Sequence, residues 1–303
     1  MSLHIEILSN YIAPIFIASG IGAVFSRVFK PDVKPMARLA FHVLSPCLVF
    51  SALTTTAIPV ADILRLAGFT VSVVCAAGGL AWVLGRMLKM SGGLIAALML
   101  SCMFVNAGNY GLALNLFAFG EDAMASALIF YMVSTMLVFS LGIAVASHGK
   151  AGGRQALVGM LKVPAFYALA LAGLTRGLGL PIPQLVQRPV SLLAQASIPI
   201  MLLILGMHIE RARWSGRILW VGMIVGIRML IMPVVAAAFA SLFQLSGSAR
   251  QAAIVETAMP TAVIVAILAL EYDVEPELVT EAVIATTLLS PFVLTPLIVY
   301  LSG

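Results

Sequence analysis

The chain has 303 residues, of which 62% are hydrophobic and 10% charged, with mean hydropathy +1.11. An average soluble domain carries about 25% charged residues, so a soluble globular fold is excluded and the chain reads as a polytopic membrane protein in a lipid bilayer. The formal charge of +5 and pI of 9.3 do not point to nucleic acid, because the basic residues lie between apolar runs, where membrane topology accounts for them.

The N-terminal "MSLHIEILSN" lacks a basic n-region and a small-residue cleavage site, so no cleaved leader is expected. Ten apolar spans then follow, at 8–27, 36–58, 64–86, 93–119, 122–146, 155–177, 189–209, 216–243, 250–270 and 278–301. Cys47, Cys75 and Cys102 all fall inside spans without metal-ligand spacing and read as buried packing residues. His208 and Glu210 read as a solvated helix end. No Walker loop, H-E-x-x-H, G-x-S-x-G or dinucleotide-binding glycine pattern occurs, so no cofactor is expected.

Alternate loops hold most of the positive charge. Arg27, Lys30, Lys34, Arg38, Arg86, Lys89, Lys150, Arg154, Lys162, Arg211, Arg213 and Arg217 share one side. Arg65, Arg176, Arg188 and Arg250 share the other, and Arg228 lies within a span. The positive-inside rule therefore predicts both termini outside, in the periplasm of a cell with an inner membrane.

An odd number of spans in each half requires the second half to insert upside down. The sequence supports such a repeat, over 1–150 and 151–303. "IAPIFIASGIG" around Pro14 recurs as "KVPAFYALALAG" around Pro164. "LSPCLVFSAL" around Pro46 recurs as "SIPIMLLILG" around Pro199, and "FVNAGNYGLALNLFAFG" as "IVETAMPTAVIVAILAL". The offsets are 150, 153 and 150 residues. Inverted five-span repeats are a transporter architecture with the site near the bilayer midplane.

The fourth and ninth spans carry the chemistry. Pro260 removes one N–H and frees the carbonyl of Glu256, while Asn106, Gly108, Asn109 and Gly111 weaken the matching part of the fourth span. Breaks are predicted at 106–111 and 257–261. They are tolerable in a bilayer only where protein or a wet cavity covers them. If the two spans cross at their breaks, two helix N-termini favour an anion there and two C-termini favour a cation. Glu256 sits on the cation-favouring side and is expected to bind a coupling cation, either sodium or a proton, with Asn109 and Thr257 beside it. Asn106 and Asn109, with the amides of 110–112 and 261–263, are expected to hold a carboxylate. Thr261 is placed to cap the restarting ninth helix. Arg228, the other intramembrane charge, is read either as docked on carbonyls or paired with Glu256, or as a substrate contact. Ser126, Ser134, Thr135, Thr287 and Ser290 are expected to bond back to their own helices.

Taken as a set, "IPIMLLILGMHIE", "GIRMLIMPVV", "AMPTAVIVAILALEYDVEPEL" and "NAGNYGLALNLFAFG" resemble the auxin efflux carrier family, which includes plant auxin carriers and bacterial malonate and malate permeases. The resemblance spans essentially the whole chain, without the long central loop of many plant members. It implies an all-α integral membrane fold of ten helices in two inverted five-helix repeats, with crossed, broken helices 4 and 9, shared with bile-acid sodium symporters. Helices 1, 2, 6 and 7 would form a scaffold, and helices 3–5 and 8–10 a moving transport domain. Asn106 resembles the crossover asparagine that meets the substrate carboxylate, and Pro260 the crossover proline of the ninth helix. Ala113 departs from a usual proline. Glu256 departs from the glutamine of plant members and resembles the sodium-binding glutamate of bile-acid symporters.

The function expected is secondary active transport of a small organic anion, a mono- or dicarboxylate, by sodium symport and an elevator motion, in a homodimer. The alternatives are proton-coupled or uncoupled efflux, and, in another class, an anion channel, for which no filter repeat or ring of charges is visible. A receptor that binds without transport is a further alternative. An enzyme is not expected, since no nucleophile–base set or metal cluster accompanies Glu256 and His42.

Overall fold

The computed structural model describes residues 3–56, 58–147, 158, 161, 163–211 and 216–302, and among them there is no strand. The helices in chain order are α1 (Leu3–Phe29), α2 (Val33–Thr55), α3 (Val60–Met87), α4 (Gly92–Met103), α5 (107–119) and α6 (Glu121–Ala146). They continue as α7 (Pro164–Gly177), α8 (Gln184–Arg211), α9 (Ile218–Leu242), α10 (Gly247–Thr257), α11 (Val263–Glu271) and α12 (Pro276–Ser302). Seven of them, α1, α2, α3, α6, α8, α9 and α12, are long and apolar enough to cross a membrane. The expected start of the sixth span at 155, and the basic residues Lys150, Arg154, Lys162 and Arg213, lie outside the described residues.

Proline explains much of the irregular winding. Pro14, Pro46 and Pro233 each follow a π-helical turn, at Leu8–Ile12, Ala40–Leu44 and Gly226–Ile231. A proline ring clashes with the carbonyl four residues earlier. In each case that carbonyl falls inside the wide turn, where an i→i+5 pattern leaves room for the ring. Pro189 and Pro199 instead lie inside α8, which runs on through both.

The closest packing is main chain against main chain. A Cβ on Gly206 of α8 would lie 1.7 Å from the Ser19 carbonyl oxygen of α1, and one on Gly22 would lie 2.1 Å from that of Leu203. Small residues let membrane helices approach this closely, and dispersion then takes the place of the hydrophobic effect that lipid does not supply. We therefore expect Gly206→Ala to destabilise the protein by about 3 kcal/mol, since no side-chain rearrangement can make room. Thermal unfolding measures this. Gly20→Ala on α1, which meets nothing within 4 Å, is the neutral control.

Around that contact α1, α2, α7 and α8 pack mainly on one another, with Ser197 Oγ donating to the Leu44 carbonyl at 2.8 Å. The second group comprises α3–α6 and α9–α12. The two groups meet where α8 lies against the 107–111 turn, where α1 reaches α12, and where the Ser45 and Tyr131 hydroxyls are 3.3 Å apart. Large apolar side chains such as Met87, Leu185 and Phe292 face outward, as a lipid-facing surface requires. Of the three cysteines, Cys102 is buried and Cys47 half-buried. Cys75 corrects the expectation of burial: it lies on an outward-facing strip of α3.

Candidate functional site: two paired breaks

The break between α4 and α5 covers residues 104–106, and that between α10 and α11 covers 258–262. Residues 105 and 261 form an antiparallel bridge. The Asn106 amide donates to the Pro260 carbonyl at 2.8 Å, and the Ala262 amide to the Phe104 carbonyl at 3.0 Å. Main-chain groups released by each break are thus satisfied by the other, as they must be away from water.

The first break lies N-terminal to the expected 106–111. Gly108 and Gly111 are not part of it; they belong to the π-helical turn Ala107–Gly111 that opens α5. The bond from the Asn106 amide to Pro260 holds the unwound residues ahead of the glycines. The second break is shifted by one residue, because Thr257 still ends α10. Its hydroxyl bonds back to Ala253 at 2.8 Å.

Glu256 is fully buried. Its Oε1 accepts from Asn115 Nδ2 at 3.0 Å, and the same amide group donates to the Gly111 carbonyl at 2.9 Å. Oε2 has no hydrogen-bond partner among the described residues. The carboxylate occupies the space above Gly111, where a Cβ would come within 2.3 Å of Oε2. Asn115 was not among the expected site residues. A third asparagine in an apolar run, four residues after a glycine and so on its face of the helix, was the available signal. Neither Asn109 nor the Thr257 side chain hydrogen-bonds to Glu256.

Arg228, 1% exposed, is held in the π-helical turn of α9. Nη1 donates to the Cys102 carbonyl at 2.8 Å, and Nη2 to those of Thr257 at 2.6 Å and Met259 at 2.9 Å. Of the three readings of Arg228 made from sequence, docking on carbonyls is the one its hydrogen bonds describe. No salt bridge joins it to Glu256 among the described residues.

Several amides expected to hold a carboxylate are already engaged. Those of Tyr110 and Gly111 donate to the Asn106 carbonyl, that of Thr261 to Thr286 Oγ1 at 3.0 Å, and that of Ala262 to Phe104. Thr261 does not cap α11; its hydroxyl donates to the Ser101 carbonyl at 2.9 Å and so clasps the end of α4. Asn106 is buried, with Nδ2 unpartnered among the described residues. The 108 and 109 amides head α5, where no preceding turn supplies acceptors. Gly108 and Asn109 are half-buried, and Gly108 lies under the Tyr131 ring, 2.7 Å from where a Cβ would be. Tyr131 reaches Ser45 of α2, so this patch opens toward the other helix group.

The hydroxyls of Ser126, Thr135 and Thr287 bond back to their own helices. Ser290 does so too, and its oxygen lies 3.1 Å from the Tyr110 hydroxyl, within hydrogen-bond distance. His42 is exposed, with its ring bonded to the Arg38 carbonyl, and is no partner for Glu256. Among the described residues no cluster of His, Cys, Asp and Glu could hold a metal ion by itself.

Apolar helices around paired main-chain breaks define a multi-pass integral membrane protein with a polar interior. Residues 151–299 match the family model described as Membrane transport protein. An uncharacterized transporter of Methanothermobacter thermautotrophicus is 24% identical over 263 residues, covering 86% of each chain. An uncharacterized transporter of Methanocaldococcus jannaschii is 23% identical over 282 residues, covering 89% of this chain and 91% of the relative. The family match and the two transporter relatives support membership of the auxin efflux carrier family of membrane transport proteins. That support points to a role in transport.

Proposed function

We propose that the chain is a secondary active carrier of a small organic anion, a mono- or dicarboxylate of the malonate or malate kind, working by sodium symport. The observation that carries this reading is the pair of interrupted helices joined at 105 and 261, with an unpartnered asparagine amide, Asn106 Nδ2, buried at the join. A buried amide without an acceptor is costly, and an incoming carboxylate oxygen relieves it. The positive end of α5 adds to the attraction at Gly108 and Asn109. Pro260 and Thr261 contribute by shaping the second break and tying it to α4 and α12. Glu256 carries the coupling ion, for which sodium is the first assignment on the resemblance to bile-acid symporters.

The fold behind this function is ten spans in two inverted repeats, in which α4 with α5 and α10 with α11 each make one crossing. The group of α1, α2, α7 and α8 is the scaffold, and the other group carries the site past it as an elevator. Placement in the inner membrane with both termini outside, and pairing of two copies through the scaffold, complete the reading. A proton in place of sodium is the second reading. The observation favouring it is that Glu256 is fully buried with Oε2 unpartnered among the described residues, where a bound proton removes the cost of a buried charge without any further ligand.

Thermal stabilisation of the purified protein by a panel of mono- and dicarboxylates, in sodium or potassium and at two pH values, tests the assignment. Asn106→Ala should weaken the stabilising acid roughly 10- to 100-fold, the value of a hydrogen bond to a charged group. Unchanged affinity would remove Asn106 from the site, and no response to any carboxylate would remove the organic-anion reading.

A further inference from the structure

We propose that Arg228 is the resident cation of the crossing: its guanidinium fills the place between the carbonyl ends of α4 and α10 that a mobile alkali ion would otherwise take.

The last four carbonyls of any helix have no partner within it. At the end of α10 the amides of Ala258 and Met259 serve Ile254, Val255 and Glu256, and other carbonyls at the two breaks find partners on other elements. The Ser101 carbonyl accepts from Thr261 Oγ1, that of Phe104 from the Ala262 amide, and that of Pro260 from the Asn106 amide. The carbonyls of Cys102, Thr257 and Met259 accept from Arg228. One guanidinium therefore closes both helix ends at once, drawing one carbonyl from the end of α4 and two from the chain at and just after the end of α10.

Charge supports the same assignment. Each helix C-terminus carries about half a negative charge. Two of them at one point sum to about one, which a single guanidinium neutralises without any carboxylate. Arginine suits this better than lysine, because its planar fork presents several donors in fixed directions. The π-helical turn Gly226–Ile231 places it, since a wide turn ahead of Pro233 alters which residues of α9 face inward.

The consequence for coupling rests on the transport reading, whereas the cradle itself does not: with the Cys102, Thr257 and Met259 carbonyls taken, the oxygens left for an exchangeable ion are those of Glu256 and Asn115, and the carrier moves at most one. Specificity for the ion then lies with Glu256 and Asn115 alone.

The test uses purified protein without substrate. Thermal unfolding of wild type and Arg228→Ala is followed in choline chloride, with sodium, potassium or methylguanidinium titrated at constant ionic strength. Arg228→Ala should unfold roughly 10 °C lower, because uncompensated buried polar groups are left behind. Methylguanidinium, and more weakly an alkali ion, should restore most of that loss with saturation, while wild type should not respond to methylguanidinium. If Arg228→Ala folds and no cation restores it, the proposal fails. Should the alanine variant not fold, Arg228→Lys and Arg228→Met separate charge from shape. A folded, monodisperse lysine variant beside an aggregated methionine variant supports the proposal; equal behaviour of the two overturns it. Absence of carboxylate binding would sink the organic-anion reading and leave these outcomes untouched.

Discussion

Glu256→Gln reconstituted into liposomes is expected to equilibrate its substrate but not to concentrate it. Glutamine keeps the shape and the hydrogen-bonding reach to Asn115, so the crossing should hold together. What it loses is the ability to take up a charge or a proton. One cation carried with a monovalent anion moves no net charge, so the ion's concentration gradient drives uptake, and a tenfold gradient, worth about 1.4 kcal/mol, supports roughly tenfold accumulation in wild type. The variant should approach a ratio near one, with exchange of labelled for unlabelled substrate retained. Undiminished uphill uptake would end the role assigned to Glu256. The folded state should not suffer, since an amide is less costly than a carboxylate in a buried position with one oxygen unpartnered.

Gly111→Ala is expected to push the Glu256 carboxylate out of its place with a single methyl group. The position has ordinary right-handed helical backbone, so alanine is not strained there, and every penalty comes from contact. The new Cβ would lie 2.3 to 2.6 Å from all three atoms of the Glu256 carboxylate. Either Glu256 leaves Asn115 or α5 moves away from α10. We expect a loss of about 3 kcal/mol in stability and loss of coupled uptake together. Glu256→Ala in the same chain should recover much of the stability without recovering coupling. That non-additivity, read from thermal unfolding of the two single variants and the double, identifies the clash as the cause. Additive losses would refute it. Gly79→Ala, with nothing within 4 Å, should be neutral.

The sequence made the apolar helices legible because hydrocarbon imposes a strong, local rule: long runs without charge. It also pointed to the neighbourhood of the interruptions, since Pro260 and the Asn–Gly cluster act on their own backbone. What it could not locate was anything decided by a partner far along the chain. The first break settled at 104–106 because the Asn106 amide found Pro260, more than 150 residues away, and no local preference encodes that. The same holds for Asn115, whose role depends on Glu256 lying over Gly111. Pro14, Pro46 and Pro233 were visible as prolines. Their wide turns were not, because a π-helical turn and a simple kink share the same residues. Pro189 and Pro199 look no different in sequence, yet α8 continues through them.

The join at 105 and 261 is made by backbone atoms, and this has a consequence for how such a protein diversifies. A contact between peptide groups does not depend on which side chains flank it. Mutations at the positions around the join can therefore alter what a solute meets there while the two chain segments stay fastened, so new chemical preferences are open to the lineage without first rebuilding the framework that presents them.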